Sequence, residues 1–197
     1  MTAQSNHTLD YDGQRFQLTS VSREPLFDPT DYALSPTVTS TGCWDGYLCH
    51  FAAGGDRLSL QTLWLNHGQP LGRWCESTLP MPLLNGVAAD EKYDDSGYQE
   101  FQGRYDNVNL RLAYTGDILI SSNGPDERYL HGYPWPWHFA CTMKLSFIEG
   151  RLTARKDIST ILRTFDSRYC VEGYLYGDQR RNGLRFLRRH VGHGFRF

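Results

Sequence analysis

The segment His131-Gly132-Tyr133-Pro134-Trp135-Pro136-Trp137-His138 concentrates more recognition chemistry than any other stretch of the chain. Prolines at alternate positions fix the backbone and remove amide donors, so this segment cannot run through the middle of a sheet. Two indole rings held in this way form a flat apolar platform suited to a sugar face, a peptide or another protein. Trp135, Trp137, His131, Tyr133 and, from a separate stretch, Trp44 are therefore the candidate binding residues. The opposing reading is that these rings fold back and cap one end of the fold, because large aromatics are on average well buried. His131 and His138 read as hydrogen-bonding partners of the loop rather than as ligands.

Metal and nucleophile chemistry find less support. Cys43, Cys49 and His50 miss the close pairing of a zinc site, and no second Cys/His pair follows at finger distance. Strand alternation would also place Cys49 and His50 on opposite faces. His190 and His193 would need a carboxylate between them, and Gly192 and Gly194 argue against a stable helix there. No metal and no cofactor is expected. Cys43, between Gly42 and Trp44, is the best candidate for a thiol nucleophile, but its histidine would have to come from a distant strand. Neither a G-x-S-x-G elbow nor a phosphate-binding G-x-x-x-x-G-K-[ST] loop occurs. Asp94, Asp95 and Glu100 offer a carboxylate pair, yet acids in a polar run usually line a solvated loop.

The elements that would position these residues are strands. Phe139, Cys141, Met143, Leu145 and Phe147 alternate with Ala140, Thr142, Lys144 and Ser146, the two-residue period of a half-buried strand. Glu149-Gly150 turns the chain, and Leu152 and Ala154 are expected to face inward on the return. Asp12-Gly13 closes a first hairpin between residues 7–11 and 15–19, and Gly54-Gly55-Asp56 closes another between 47–52 and 57–66. In that second hairpin Leu58, Leu60, Thr62 and Trp64 are expected to share a face. Asp28 and Pro29 favour a short helical turn. Residues 68–82 read as a surface connection and 90–95 as an acidic loop. Val108, Leu110, Leu112 and Tyr114 mark a further strand, and Ile118 to Ile120 follow. Ile158, Ile161, Leu162 and Phe165 change to helical spacing, with Asp157 or Ser159 as cap. Residues 171–176 read as a strand; Leu184 to Val191 fit neither period. The expected fold is mainly β, an antiparallel sandwich or open barrel of about nine to ten strands with one or two short helices.

The 197 residues suit one domain over residues 1–177, followed by an arginine-rich tail over 178–197. That tail holds six arginines and one acid, a net of +5, against −7 for the 177 residues before it. The simplest use of such an asymmetry is a tail docked across the acidic body, neutralising it, and nucleic acid is disfavoured because the chain as a whole is not basic. Five scattered cysteines, an odd number, and the lack of an apolar leader point to a reduced, cytoplasmic protein. No apolar run approaches the about 18 residues of a membrane span, so no membrane is expected as a partner.

The strings Ser40-Thr41-Gly42-Cys43-Trp44-Asp45-Gly46-Tyr47, Pro82-Leu83-Leu84-Asn85-Gly86-Val87 and Thr115-Gly116-Asp117-Ile118-Leu119-Ile120 resemble a family of uncharacterised bacterial β-rich proteins. So do Met143-Lys144-Leu145-Ser146-Phe147, Gly150-Arg151-Leu152 and Asp157-Ile158-Ser159. The resemblance covers roughly Tyr11 to Phe165 and implies a domain extent without a chemistry. Gly42-x-Trp44 is also similar to a short motif of lipocalin-type ligand-binding barrels, a string that often occurs by chance.

Three functions follow. The first is a non-enzymatic protein-interaction module, for example an immunity-type antidote whose acidic body masks a basic bacterial toxin. The second is a small-molecule or carbohydrate-binding barrel lined by Trp135, Trp137, Trp44 and Trp64. The third is a hydrolase whose site is assembled from distant strands. A filled interior favours the first, an empty apolar cavity the second, a polar cleft the third.

Overall fold

The computed structural model describes residues 3–38, 40–68, 79–90, 101–127, 129, 131–177 and 179–197. Residues 69–78 and 91–100, with Cys75 and the Asp94, Asp95 and Glu100 carboxylates, lie outside this set. Seven strands close a barrel. In chain order they are β1 (Thr8–Tyr11), β2 (Gln14–Val21), β3 (Tyr47–Gly54) and β4 (Arg57–Leu65), then, past the short strands β5 (Gly103–Tyr105) and β6 (Leu110–Arg111), β7 (Gly116–Ser122), β8 (Cys141–Ile148) and β9 (Arg151–Asp157). Around the barrel the order is β3-β1-β2-β7-β8-β9-β4, and β4 returns to β3. Every contact is antiparallel except β1 with β3. The barrel is therefore closed, where a sandwich or open barrel was expected, and its ladder is mixed. Closure rests on the β1–β3 parallel pairing and on one rung between β4 and β9, Arg57 against Arg151. Beyond that rung β5 and β6 take the free edge of β4.

The hairpins follow their turn chemistry. Asp12 and Gly13 adopt φ of 51° and 74°, and Gly55 and Asp56 adopt 54° and 59°, the left-handed pair that matches strand twist. A 3-10 turn at Pro29–Tyr32 is capped by Asp28, whose Oδ1 accepts from Thr30 N at 2.9 Å. The expected strand through Val108–Tyr114 is reduced to Leu110–Arg111.

Register corrects two face assignments. A bulge opposite His50 and Phe51 shifts β4 at Gln61, so that Leu58 and Leu60 are followed inward by Leu63 and Leu65. Thr62 and Trp64 turn to the outer wall, because one added residue inverts every side chain beyond it. A second bulge, between Ser146 and Phe147, leaves Leu152 against the core but Ala154 exposed. The barrel interior is filled by side chains. Leu9, Phe51, Leu58, Leu60, Leu63, Leu65, Tyr105, Ile118, Ile120, Leu145 and Phe147 are almost wholly buried there. Each contributes about 1.5–3 kcal/mol by leaving water.

A second layer covers the outer wall of β7 and β8. It holds α1 (Ser159–Tyr169), a small hairpin of β10 (Cys170–Val171) with β11 (Tyr174–Leu175), and α2 (Gln179–His190). Helix α1 begins where the apolar period changes, and Asp157 Oδ1 accepts from Ser159 N and Oγ at its start. Leu119, Trp137, Ile158, Leu162, Phe165, Leu187 and Val191 form the core of this layer. Beneath it a chain of hydroxyls, Thr19, Ser121 and Thr142, runs to Pro136 O at 2.9–3.0 Å per step, satisfying polar groups that burial would otherwise penalise. No described helix is long and apolar enough to cross a membrane.

Candidate functional site

The aromatic loop divides between support and display. Trp137 is 5% exposed, donates Nε1–H to Gly173 O at 2.9 Å, and lies against Phe165 at 4.8 Å between ring centres. Trp135, half-buried, stacks on it at 5.3 Å. His138 accepts from Trp135 N at Nδ1, so its Nε2 carries the proton that meets Gly173 O at 2.9 Å. These residues fasten the loop to the helical layer. His131 stacks on Tyr174 at 5.9 Å.

Trp44 and Tyr133 stand apart from that packing. They are 48% and 37% exposed and meet edge to face at 6.2 Å, a favourable aromatic geometry. Tyr133 OH donates to Asp45 Oδ2 at 2.7 Å. Burial, and the neighbouring Asp45 carboxylate, push the phenol well above its usual range, so it remains a donor. The clamp behind the pair is Gln4. Its N–H donates to Gly132 O at 2.8 Å, its Nε2 to Thr41 O at 2.7 Å, and its Oε1 accepts from Trp44 N at 3.1 Å. Gln4 thus ties together the two loops that present Trp44 and Tyr133, the first through its side-chain amide and the second through its backbone N–H. Gly46, at φ 72°, brings the Trp44 loop so close to Thr37 that an added Cβ would sit 2.7 Å from its backbone. Sequence reasoning named both aromatics but missed Gln4 and Asp45, since neither carries a motif and their partners lie far along the chain.

None of the four tryptophans expected to line a ligand barrel points into its interior. Trp64 lies on the outer wall with the Arg104 guanidinium 5.3 Å from its ring centre, and Trp44, Trp135 and Trp137 belong to the loops and the helical layer. Cys49 faces the core and His50 the outer wall, as alternation implies. Among the described residues no group of three or more His, Cys, Asp or Glu is arranged to hold a metal.

The parallel β1–β3 seam assembles a second polar cluster that the sequence did not disclose. Thr8 Oγ1 lies 2.8 Å from His50 Nδ1, and His50 Nε2 lies 2.9 Å from Asp10 Oδ2. Arg15 clamps Asp10 at 3.0 and 3.2 Å and reaches His50 Nε2 at 3.1 Å. Hydroxyl, imidazole and carboxylate in series have the composition of a nucleophile relay. Desolvation lowers the His50 pKa; Asp10 opposes that shift and Arg15 adds to it, so the guanidinium resists the imidazolium a general base must become.

A cleft of ≈ 630 Å³ opens between the tips of the β1–β2 and β3–β4 hairpins and β9, lined by Tyr11, Gly13, Gly55, Asp56, Leu152 and Arg155. Arg155 Nη1 donates to Tyr11 OH at 3.1 Å across it. No protein-family model, curated protein or solved structure matches the chain.

Proposed function

We propose that this protein is a non-enzymatic interaction module that binds another protein through the Trp44–Tyr133 surface. The observation that carries this reading is a pair of large aromatics left exposed yet held fixed by Gln4, Asp45 and each other. Exposed Trp and Tyr held in one geometry lose little entropy on association, and such residues dominate the energetics of interfaces. The filled barrel supports the same reading, since it leaves recognition to outer surfaces. Asp45 at the rim and the net −7 of residues 1–177 favour a basic partner, as an immunity-type protein masking a toxin would require.

The test is capture from the native host with the wild-type chain, Trp44→Ala with Tyr133→Ala, and Gln4→Ala. We expect a protein of basic surface retained by wild type, lost with the double variant and weakened with Gln4→Ala. Equal retention by all three, or no retained protein at moderate salt, overturns the proposal. The Thr8–His50–Asp10 relay favours a hydrolase as the second reading; ester hydrolysis lost in His50→Gln would support it over the first.

A further inference from the structure

Helix α2 presents five arginines to solvent. Arg180, Arg181, Arg185, Arg188 and Arg189 are all exposed, and none forms an ion pair among the described residues. The segment packs on the domain through Leu187, Val191 and Gly183. Lys144 Nζ secures its end by donating to Val191 O at 2.9 Å. Among the described residues Arg196 alone of its six arginines meets an acid, Glu24 at 3.1 Å. Nucleic acid was disfavoured because the chain as a whole is not basic, but α2 is basic locally, and among the described residues its arginines meet no acid.

At about 100° per residue, Arg181, Arg185, Arg188 and Arg189 share one flank of α2 and span about 12 Å, while Leu187 and Val191 occupy another. Residues 179–197 include no acid to relieve them. Like charges at i,i+4 repel along Arg181, Arg185 and Arg189, and Arg181 sits at the positive end of the helix dipole, so a bound anion would relieve this stripe. Every cation of this stripe is arginine, whose planar fork matches phosphate oxygens two at a time. Three residues ahead of the helix, Tyr176 is 61% exposed, its ring 6.2 Å from that of Tyr174, and Gly177 O accepts from Arg180 N at the helix start. A ring and a cationic track side by side hold a strand by its bases and its backbone together.

We infer that α2 and Tyr176 form a binding surface for single-stranded nucleic acid, with Arg181, Arg185, Arg188 and Arg189 on successive phosphates and Tyr176 stacked on a base. An anionic membrane fits less well, because α2 exposes no large apolar residue to insert and its apolar flank is already packed. An acidic protein would answer the charge and leave the exposed ring without a role. This surface is independent of the Trp44 reading and stands or falls separately.

The test is fluorescence anisotropy of labelled single-stranded DNA and RNA of mixed sequence, across roughly 50 to 200 mM salt, with duplex DNA, polyglutamate and anionic vesicles as competitors. Four phosphate contacts imply a log–log salt slope of about −3. Replacing all four arginines by Gln should flatten that slope and remove binding, while replacing all four by Lys should retain the slope. Tyr176→Ala should weaken binding roughly tenfold with the slope unchanged. The Lys series and Tyr176→Ala keep the test decisive if the Gln series folds poorly. Absence of binding, indifference to Tyr176→Ala, or displacement of the oligonucleotide by duplex, polyglutamate or vesicles at equal charge overturns the inference.

Discussion

Burial separates two tryptophans that look equivalent in the sequence. Trp137→Ala should cost about 3–5 kcal/mol, since it empties a packed site and leaves the Gly173 carbonyl with one donor fewer. Trp44→Ala, half in water, should stay within about 0.5 kcal/mol. Urea unfolding of both variants checks the contrast. His7 supplies a pH signature. Burial lowers its pKa from 6.5 to about 4, with Asp45 opposing, and its Nδ1 accepts from Cys49 N at 3.1 Å. The folded state holds the ring neutral while the unfolded chain takes up a proton below pH 6.5. The contribution is therefore complete above pH 6.5 and lost as pH falls toward 4. We expect His7→Asn to remove that part of the pH dependence, read as the wild-type-minus-variant difference in unfolding midpoint; an unchanged difference from pH 7 to 4.5 would contradict it. The sequence displays Trp44, Tyr133 and the Pro-Trp loop plainly. It hides Gln4, Asp45 and the Thr8–His50–Asp10 cluster, because each depends on strands or loops far apart in the chain meeting in space.

Among the elements, hairpins and the first helix were legible because their causes are local: left-handed Asp-Gly and Gly-Asp turns, and an apolar period changing from two to 3.6 at Ile158. The bulge at Gln61 was not, since it depends on pairing with β3, and it reversed the expected faces of Thr62 and Trp64. Helix α2 was not legible, since Leu184 to Val191 fit neither period, and it carries Gly183, a poor helix former. In the fold a Cβ there would come within 3.0 Å of Leu175 and 3.1 Å of Phe165, so glycine is what lets α2 approach α1. Leu187→Ala should cost about 2–5 kcal/mol. Deleting 178–197 should expose the Trp137–Phe165 cluster and raise binding of an apolar dye. A truncated chain with wild-type melting and no added dye signal would show that the tail does not belong to the fold.

For the molecule as a whole, closure decides where function can reside. Alternation announced a mainly β fold, but the parallel β1–β3 contact and the single β4–β9 rung that complete the ring join segments whose pairing no local pattern specifies. Once closed and filled, the barrel is a scaffold, and its outer surfaces carry opposite chemistries: a fixed aromatic pair with an acidic rim, and an arginine stripe on α2. The most direct measurement is photo-crosslinking from position 133, with Ile148, another exposed apolar position, as control. A photoreactive phenylalanine replacing Tyr133 should yield a discrete protein adduct in host extract that the same replacement at Ile148 does not. Equal labelling from both positions, or none from position 133, would contradict recognition at this surface.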